Sequence, residues 1–182
     1  GDYSFPIDDA IEVCPTLEWI ACANELNAAY AADGYARLKG AAILSTTYGV
    51  GELSAINGVM GSKAHRLPVF HLVGAPSRRI THQRLITHHT LGDGVYGNFE
   101  SLSAATCCVS AMLTPDNAID ELERIGQRLA RGEIRACEVL ADVGEDDGDV
   151  DRQRAVAVEA QPCVGRARAK RARVWLEDQI RS

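Results

Sequence analysis

Short apolar runs and helix-period stretches take turns along this chain. Trp19-Ile-Ala-Cys22 is a compact apolar run bounded by Pro15 and Asn24, which predicts a buried strand handing over to a helix. Asn24 is a good N-cap, Glu25 falls in the first turn, and an alanine-rich helix should run to Lys39, where Gly40 can end it. Small residues at Ala28, Ala29, Ala31, Ala32 and Ala36 let another backbone come close. Ahead of that unit, residues 5–13 predict a short helix with Phe5, Ile7, Ala10, Ile11 and Val13 as apolar positions.

The alternation continues downstream. Residues 41–47 read as a strand buried on both faces, Tyr48-Gly-Val-Gly51 as a turn, and residues 52–62 as a helix in which Gly58 and Gly61 suggest close approach by another element. Residues 68–74 predict a strand, 75–91 a long polar loop, and 96–102 a short helix. A strand over 106–111, a helix over 115–130 and a strand over 136–142 complete the series. Strands alternating with helices imply an α/β domain: a mostly parallel, doubly wound sheet with helices on both faces, three layers in all. After Gly144 the pattern stops. An acidic run at 145–151 and a basic one at 166–173 read as a solvated linker and a short terminal helix.

Composition narrows the class. With 182 residues the chain holds one ordinary core and a tail, and 46% apolar residues place it among globular proteins. A formal net charge of -6 argues against nucleic acid, whose phosphates call for a basic surface. No apolar run is long enough to span a bilayer and no signal peptide is present, so no membrane association and a cytoplasmic location are expected. The six cysteines form no C-x-x-C pair, and Cys107 and Cys108 are neighbours on an expected strand, facing opposite ways. Reduced cysteines, most of them buried, fit better than disulfides or a structural zinc site, and no metal ligand is assigned.

Two places carry candidate chemistry. Glu25 either complements the helix dipole or is a carboxyl at the carboxyl end of a strand, where open α/β sheets place their ligands. His88 and His89, taken by themselves, read as exposed loop histidines. His65 and His71 read as structural.

Asn24-Glu25-Leu-Asn-Ala-Ala-Tyr-Ala-Ala-Asp-Gly-Tyr-Ala-Arg37 resembles the signature of the thiamine-diphosphate-dependent 2-oxo acid decarboxylases, of the pyruvate and indolepyruvate decarboxylase type. Gly1-Asp2-Tyr3, Thr46-Thr-Tyr-Gly-Val-Gly-Glu-Leu-Ser-Ala-Ile-Asn-Gly58 and His88-His-Thr-Leu-Gly-Asp-Gly94 agree in order and spacing. The resemblance covers residues 1–143 and implies the pyrimidine-binding domain of the thiamine-diphosphate-binding fold, lacking its first helix and strand. Residues 144–182 match nothing in the family. Gly92-Asp93-Gly94 looks like the start of a diphosphate-magnesium motif, but in this family it belongs to the His-His block, and Asn117 falls short of the required spacing.

The resemblance assigns roles. A Glu at the place of Glu25 hydrogen-bonds N1′ of the aminopyrimidine and shares a proton with it; burial among Trp19, Ile20 and the alanine helix would suit that role. Tyr48, Gly49 and Val50 resemble the turn that packs on the pyrimidine ring. His88 and His89 resemble the paired histidines beside the reacting carbons, with Asp2 as the acid that works with them. Thiamine diphosphate is the implied cofactor, with Mg2+ held by a diphosphate domain absent from this chain. The implied partners are a 2-oxo acid and the diphosphate domain of another subunit in a homo-oligomer, so the isolated chain should be half a site. Relatives carry an aromatic residue at Lys63 and an acid at His65, so this chain adds basic charge near the expected subunit interface. The competing reading is a non-catalytic remnant serving as an interaction or dimerisation module, whose small-residue helix faces seek a partner.

Overall fold

A computed structural model describes residues 1–131 and 136–142. After a 3₁₀ turn at Asp2–Ser4 come α1 (Phe5–Val13), α2 (Glu25–Lys39), β1 (Ala42–Thr47), α3 (Val50–Ala64), β2 (Val69–Ala75) and α4 (Arg78–Gln83). Then follow α5 (Asn98–Thr106), β3 (Val109–Leu113), α6 (Ala118–Ala130) and β4 (Ala136–Asp142). The strands form one sheet in the order β1-β2-β4-β3, and every pair is parallel. The chain is thus α/β, as its alternating pattern implies. The acidic and basic runs and Cys163 lie outside the described residues.

Helix α2 starts and stops where its capping residues say it should. The Asn24 Oδ1 accepts the Asn27 N–H at 2.9 Å, a cap worth about 1 kcal/mol, and Gly40 closes the helix in the left-handed region at φ 97°. Its small residues serve the interior of this chain. Ala29, Ala32 and Ala36 are buried against Ala42, Leu44, Ala55 and Val59 of β1 and α3. A Cβ on Gly58 would stand 2.5 Å from that of Ala29, so the two helices meet backbone to backbone. This corrects the expectation of an outward small-residue face, since α3 already covers it. Gly61, by contrast, faces open space.

Strand pleating divides the core. Ala42, Leu44 and Val69 join the α2–α3 cluster, whereas Ile43, Phe70 and Leu72 pack with Ile7 and Ile11 of α1 and with Ala118 and Ile125 of α6. Phe5 and Val13, expected as apolar packing positions of α1, are 57% and 72% exposed. Only Ile7, Ala10 and Ile11 of that helix are buried. His71, in the middle of β2, lies in this interior, its Nε2 2.8 Å from the Thr46 Oγ1. Burial pulls its pKa down to about 4. An unfolded histidine binds its proton nearer pH 6.5, so stability is complete above that pH and falls as pH drops towards 4. The loss expected from His71 is on the order of 3 kcal/mol. Urea midpoints at pH 7 and pH 4.5 should fall less for His71→Gln than for the parent; equal falls would contradict this account.

Several boundaries differ from the sequence expectations. Trp19-Ile-Ala-Cys22 is not a strand but irregular chain, with Trp19 44% and Ile20 62% exposed. An apolar run becomes a strand only where another strand bonds it, and among the described residues β1 ends the sheet with no partner on its outer side. The expected 75–91 loop contains the short helix α4, and α5 lies later than 96–102. β3 starts at Val109, so Cys107 and Cys108 precede it; they still differ, the first buried and the second exposed. No helix among the described residues is long and apolar enough to cross a membrane.

The Lys63 side chain folds back onto α5. Its ammonium donates to the carbonyls of Ala105 at 3.1 Å and Cys107 at 3.0 Å, capping the C-terminal end of α5. That charge is therefore engaged within the chain.

Candidate active site

The turn between β1 and α3 is the scaffold of the site. Gly49 has φ 62°, and a Cβ there would strike the His89 carbonyl oxygen and stand 2.8 Å from the Phe99 ring. The fully buried Glu52 holds this turn: one carboxylate oxygen accepts the Gly49 N–H at 3.4 Å, the other the Ser103 hydroxyl at 2.5 Å. Tyr48 is buried, its hydroxyl donating to the Tyr96 carbonyl at 2.7 Å and its ring edge-on to Phe99. Burial, and then the charge of Glu52, push its phenol pKa up, so it stays a neutral donor. Val50, by contrast, is 53% exposed.

Residues far apart in sequence meet beside this turn. Asp2 and His88, separated by 86 positions, are joined by a hydrogen bond from the His88 Nε2 to the Asp2 carboxylate. Tyr3 stacks on the His88 ring with centroids 4.8 Å apart and planes 7° from parallel. Its hydroxyl shares a 2.8 Å hydrogen bond with Thr87, whose own hydroxyl lies 3.3 Å from the His88 Nδ1. His89 sits at φ 59°, edge-on to His88, and its Nδ1 is buried with no hydrogen-bond partner. Desolvation works to raise the Asp2 pKa. The hydrogen bond and charge of His88, with backbone N–H groups, outweigh it and hold the carboxyl below its ordinary value. Asp2 is thus ionised at neutral pH and fixes a proton on the His88 Nε2.

Glu25 occupies the other end. It is half-buried at the start of α2, and a Cβ on Gly51 would stand 3.4 Å from its Oε1. The same Cβ would be 2.9 Å from the Thr47 methyl, and one on Gly1 would be 2.6 Å from the Thr47 Cβ. Thr47 therefore links the Glu25 end to the Asp2 end, and its buried hydroxyl has no partner. Trp19 and Ile20 are exposed, so the burial expected around Glu25 from that side is not present. It comes instead from the glycine-lined β1–α3 turn.

Sequence reasoning passed over Thr47, Gly51, Glu52 and Tyr3 as members of the site. All four lie inside the motif blocks, so their place beside the assigned residues was the available signal. The remaining candidates are structural. His65 is exposed just beyond α3. Gly92 and Gly94 have φ 73° and 70° in a surface loop, where Asp93 accepts the Val95 N–H at 2.9 Å. Asn117 spends its amide on the backbone of Thr114 and Met112.

The family model for the thiamine pyrophosphate enzyme N-terminal TPP binding domain matches residues 1–97. The chain belongs to this family. Similar relatives carry the name alpha-keto-acid decarboxylase. The protein of Mycobacterium avium is 49% identical over 125 residues, and that of Mycobacterium leprae 49% over 127. For Mycobacterium ulcerans the figure is 46% over 125 residues. In each case the match takes in 69% of this chain and 22% of the relative, so the chain spans about a fifth of the length of the curated relatives it matches.

Proposed function

We propose that this chain is the pyrimidine-binding domain of a non-oxidative 2-oxo acid decarboxylase, spanning residues 1–143 in the three-layer thiamine-diphosphate-binding fold. The supporting observation is the buried, partnerless Thr47 hydroxyl between Glu25 and the Asp2–His88–His89 group, in a turn packed so closely that Gly49 and Gly51 admit no Cβ. An unpaired buried hydroxyl with a carboxylate beside it fits an aminopyrimidine, whose ring carries both hydrogen-bond donors and acceptors. Thiamine diphosphate, when bound, supplies the nucleophilic carbon and the electron sink that decarboxylation requires. Glu25 would hold its ring nitrogen through a shared proton, and the Tyr48-Gly49-Val50 turn would line the ring.

The other residues handle protons of substrate and product. Asp2, as a carboxylate, keeps the proton of His88 on Nε2, and Tyr3 holds the imidazole plane. His89, edge-on to it, offers a second imidazole to an oxygen of the substrate or product. Mg2+ and the diphosphate belong to a separate domain, supplied by a second subunit of a homo-oligomer in the cytoplasm. The substrate is pyruvate, indolepyruvate or a similar 2-oxo acid, and the isolated chain is half a site without turnover.

The test joins this chain to the diphosphate-binding domain of an alpha-keto-acid decarboxylase and assays carbonyl product from several 2-oxo acids. Product from the joined protein and none from the chain alone is expected. Absence of product, with binding to the second domain intact, would favour the interaction-module reading.

A further inference from the structure

We propose that Asp2, His88 and His89 form a binding site for a borderline divalent transition-metal ion of the Zn2+ class. Donor atoms of the three residues all lie within 4.8 Å of one another, and an ion would enter by opening the hydrogen bond between the His88 Nε2 and the Asp2 carboxylate. Two imidazoles and one carboxylate are the ligand set that favours zinc, nickel or copper over the hard, oxygen-seeking Mg2+. A second, independent feature is the His89 Nδ1, buried and without any hydrogen-bond partner. A buried nitrogen lone pair without a partner is costly, and an ion ligated by the His89 Nδ1 would remove that cost.

The surroundings suit a ligating histidine. Such a residue uses one ring nitrogen for the ion while the other is held by an outer hydrogen bond. His88 takes that arrangement when the ion displaces its Nε2 proton to solvent: the Nε2 then faces ion and Asp2, and its Nδ1 lies 3.3 Å from the Thr87 hydroxyl. Tyr3, stacked on the ring and hydrogen-bonded to Thr87, fixes its plane. The side chains of His88 and Asp2 are 53% and 47% exposed, so an ion can enter from solvent. Three protein ligands leave at least one position for water or an oxygen of a small ligand. An ion seated there occupies both imidazoles and blocks any proton transfer they perform. The site depends only on these residues and holds whether or not the chain serves a decarboxylase.

The test titrates ZnCl2, and separately MgCl2, into the 182-residue chain by calorimetry. One equivalent of Zn2+ and no Mg2+ should bind. Affinity should fall about tenfold or more in Asp2→Asn, His88→Ala and His89→Ala, and stay unchanged in His65→Ala and His82→Ala. Co2+ bound in place of Zn2+ should show no thiolate charge-transfer absorption, which separates this site from the exposed Cys22 and Cys108. Should an alanine variant fail to fold by circular dichroism, imidazole NMR on the unaltered chain decides, with Zn2+ shifting the His88 and His89 ring signals alone among its five histidines. A folded chain that binds no Zn2+, or Zn2+ binding that leaves those two rings unmoved, overturns the proposal.

Discussion

Glu25→Gln, placed in a protein that joins this chain to a diphosphate-binding domain, is expected to lower turnover by about a hundredfold or more. Glutamine keeps the volume of the side chain and one hydrogen-bond acceptor, but it cannot share a proton. Glu25 lies half-buried beside Gly51, where its carboxylate has no other task in the described residues. Its removal should therefore touch the chemical steps and little else. Cofactor affinity should fall much less, because the proposed function assigns diphosphate and metal contacts to the other domain. Exchange of the cofactor's reactive proton with deuterated solvent, followed by acid quench and NMR, should slow in parallel with turnover. A Glu that only complements the helix dipole predicts a few tenths of a kcal/mol of stability and unchanged exchange. Wild-type exchange in Glu25→Gln would sink the catalytic assignment.

A large loss of stability is expected from Gly49→Ala. Alanine there would adopt φ 62°, where a Cβ is disfavoured, and its methyl would meet the His89 carbonyl and stand 2.8 Å from the Phe99 ring. The first neighbour is backbone and the second a buried aromatic ring, so neither can give way cheaply. Strain and overpacking together should cost on the order of 3 kcal/mol. Gly61→Ala is the matched control: it has open space around it, lies inside α3, and should stabilise by about 0.5–1 kcal/mol. Urea unfolding of the two variants and the parent tests this, and a Gly49→Ala midpoint equal to the parent would rule out the geometry of the turn. In that variant the His89 ring signals should also shift, since its carbonyl is what the methyl displaces.

The contrast between Gly58 and Gly61 shows how far local reading goes. Both sit in the same helix three residues apart, and the sequence offers the same argument for each. Only the crossing of α2 over α3 decides that Gly58 meets Ala29 while Gly61 meets solvent. The alanine face of α2 follows the same rule. Its composition announces that something packs closely there, but whether that something is another subunit or the next helix is a matter of chain path. Here it is the next helix.

The sequence by itself determined the elements whose causes are local. Asn24 and Gly40 bracket α2 because capping and the left-handed region act within a few residues. The alternation of apolar runs with helical stretches dictated a parallel α/β sheet, because parallel strands require crossovers. Motif blocks singled out Asp2, Glu25, His88 and His89, but not that three of them touch. Tertiary structure alone decided the rest. It denied Trp19–Cys22 a strand, because pairing needs a neighbour that no local pattern can supply. It also carried Asp2 across 86 positions to His88, left the Thr47 hydroxyl and the His89 Nδ1 buried without partners, and turned the Lys63 charge inward onto α5. Each of those outcomes depends on which distant backbone passes nearby, and that is fixed by the packing of the whole sheet and its helices.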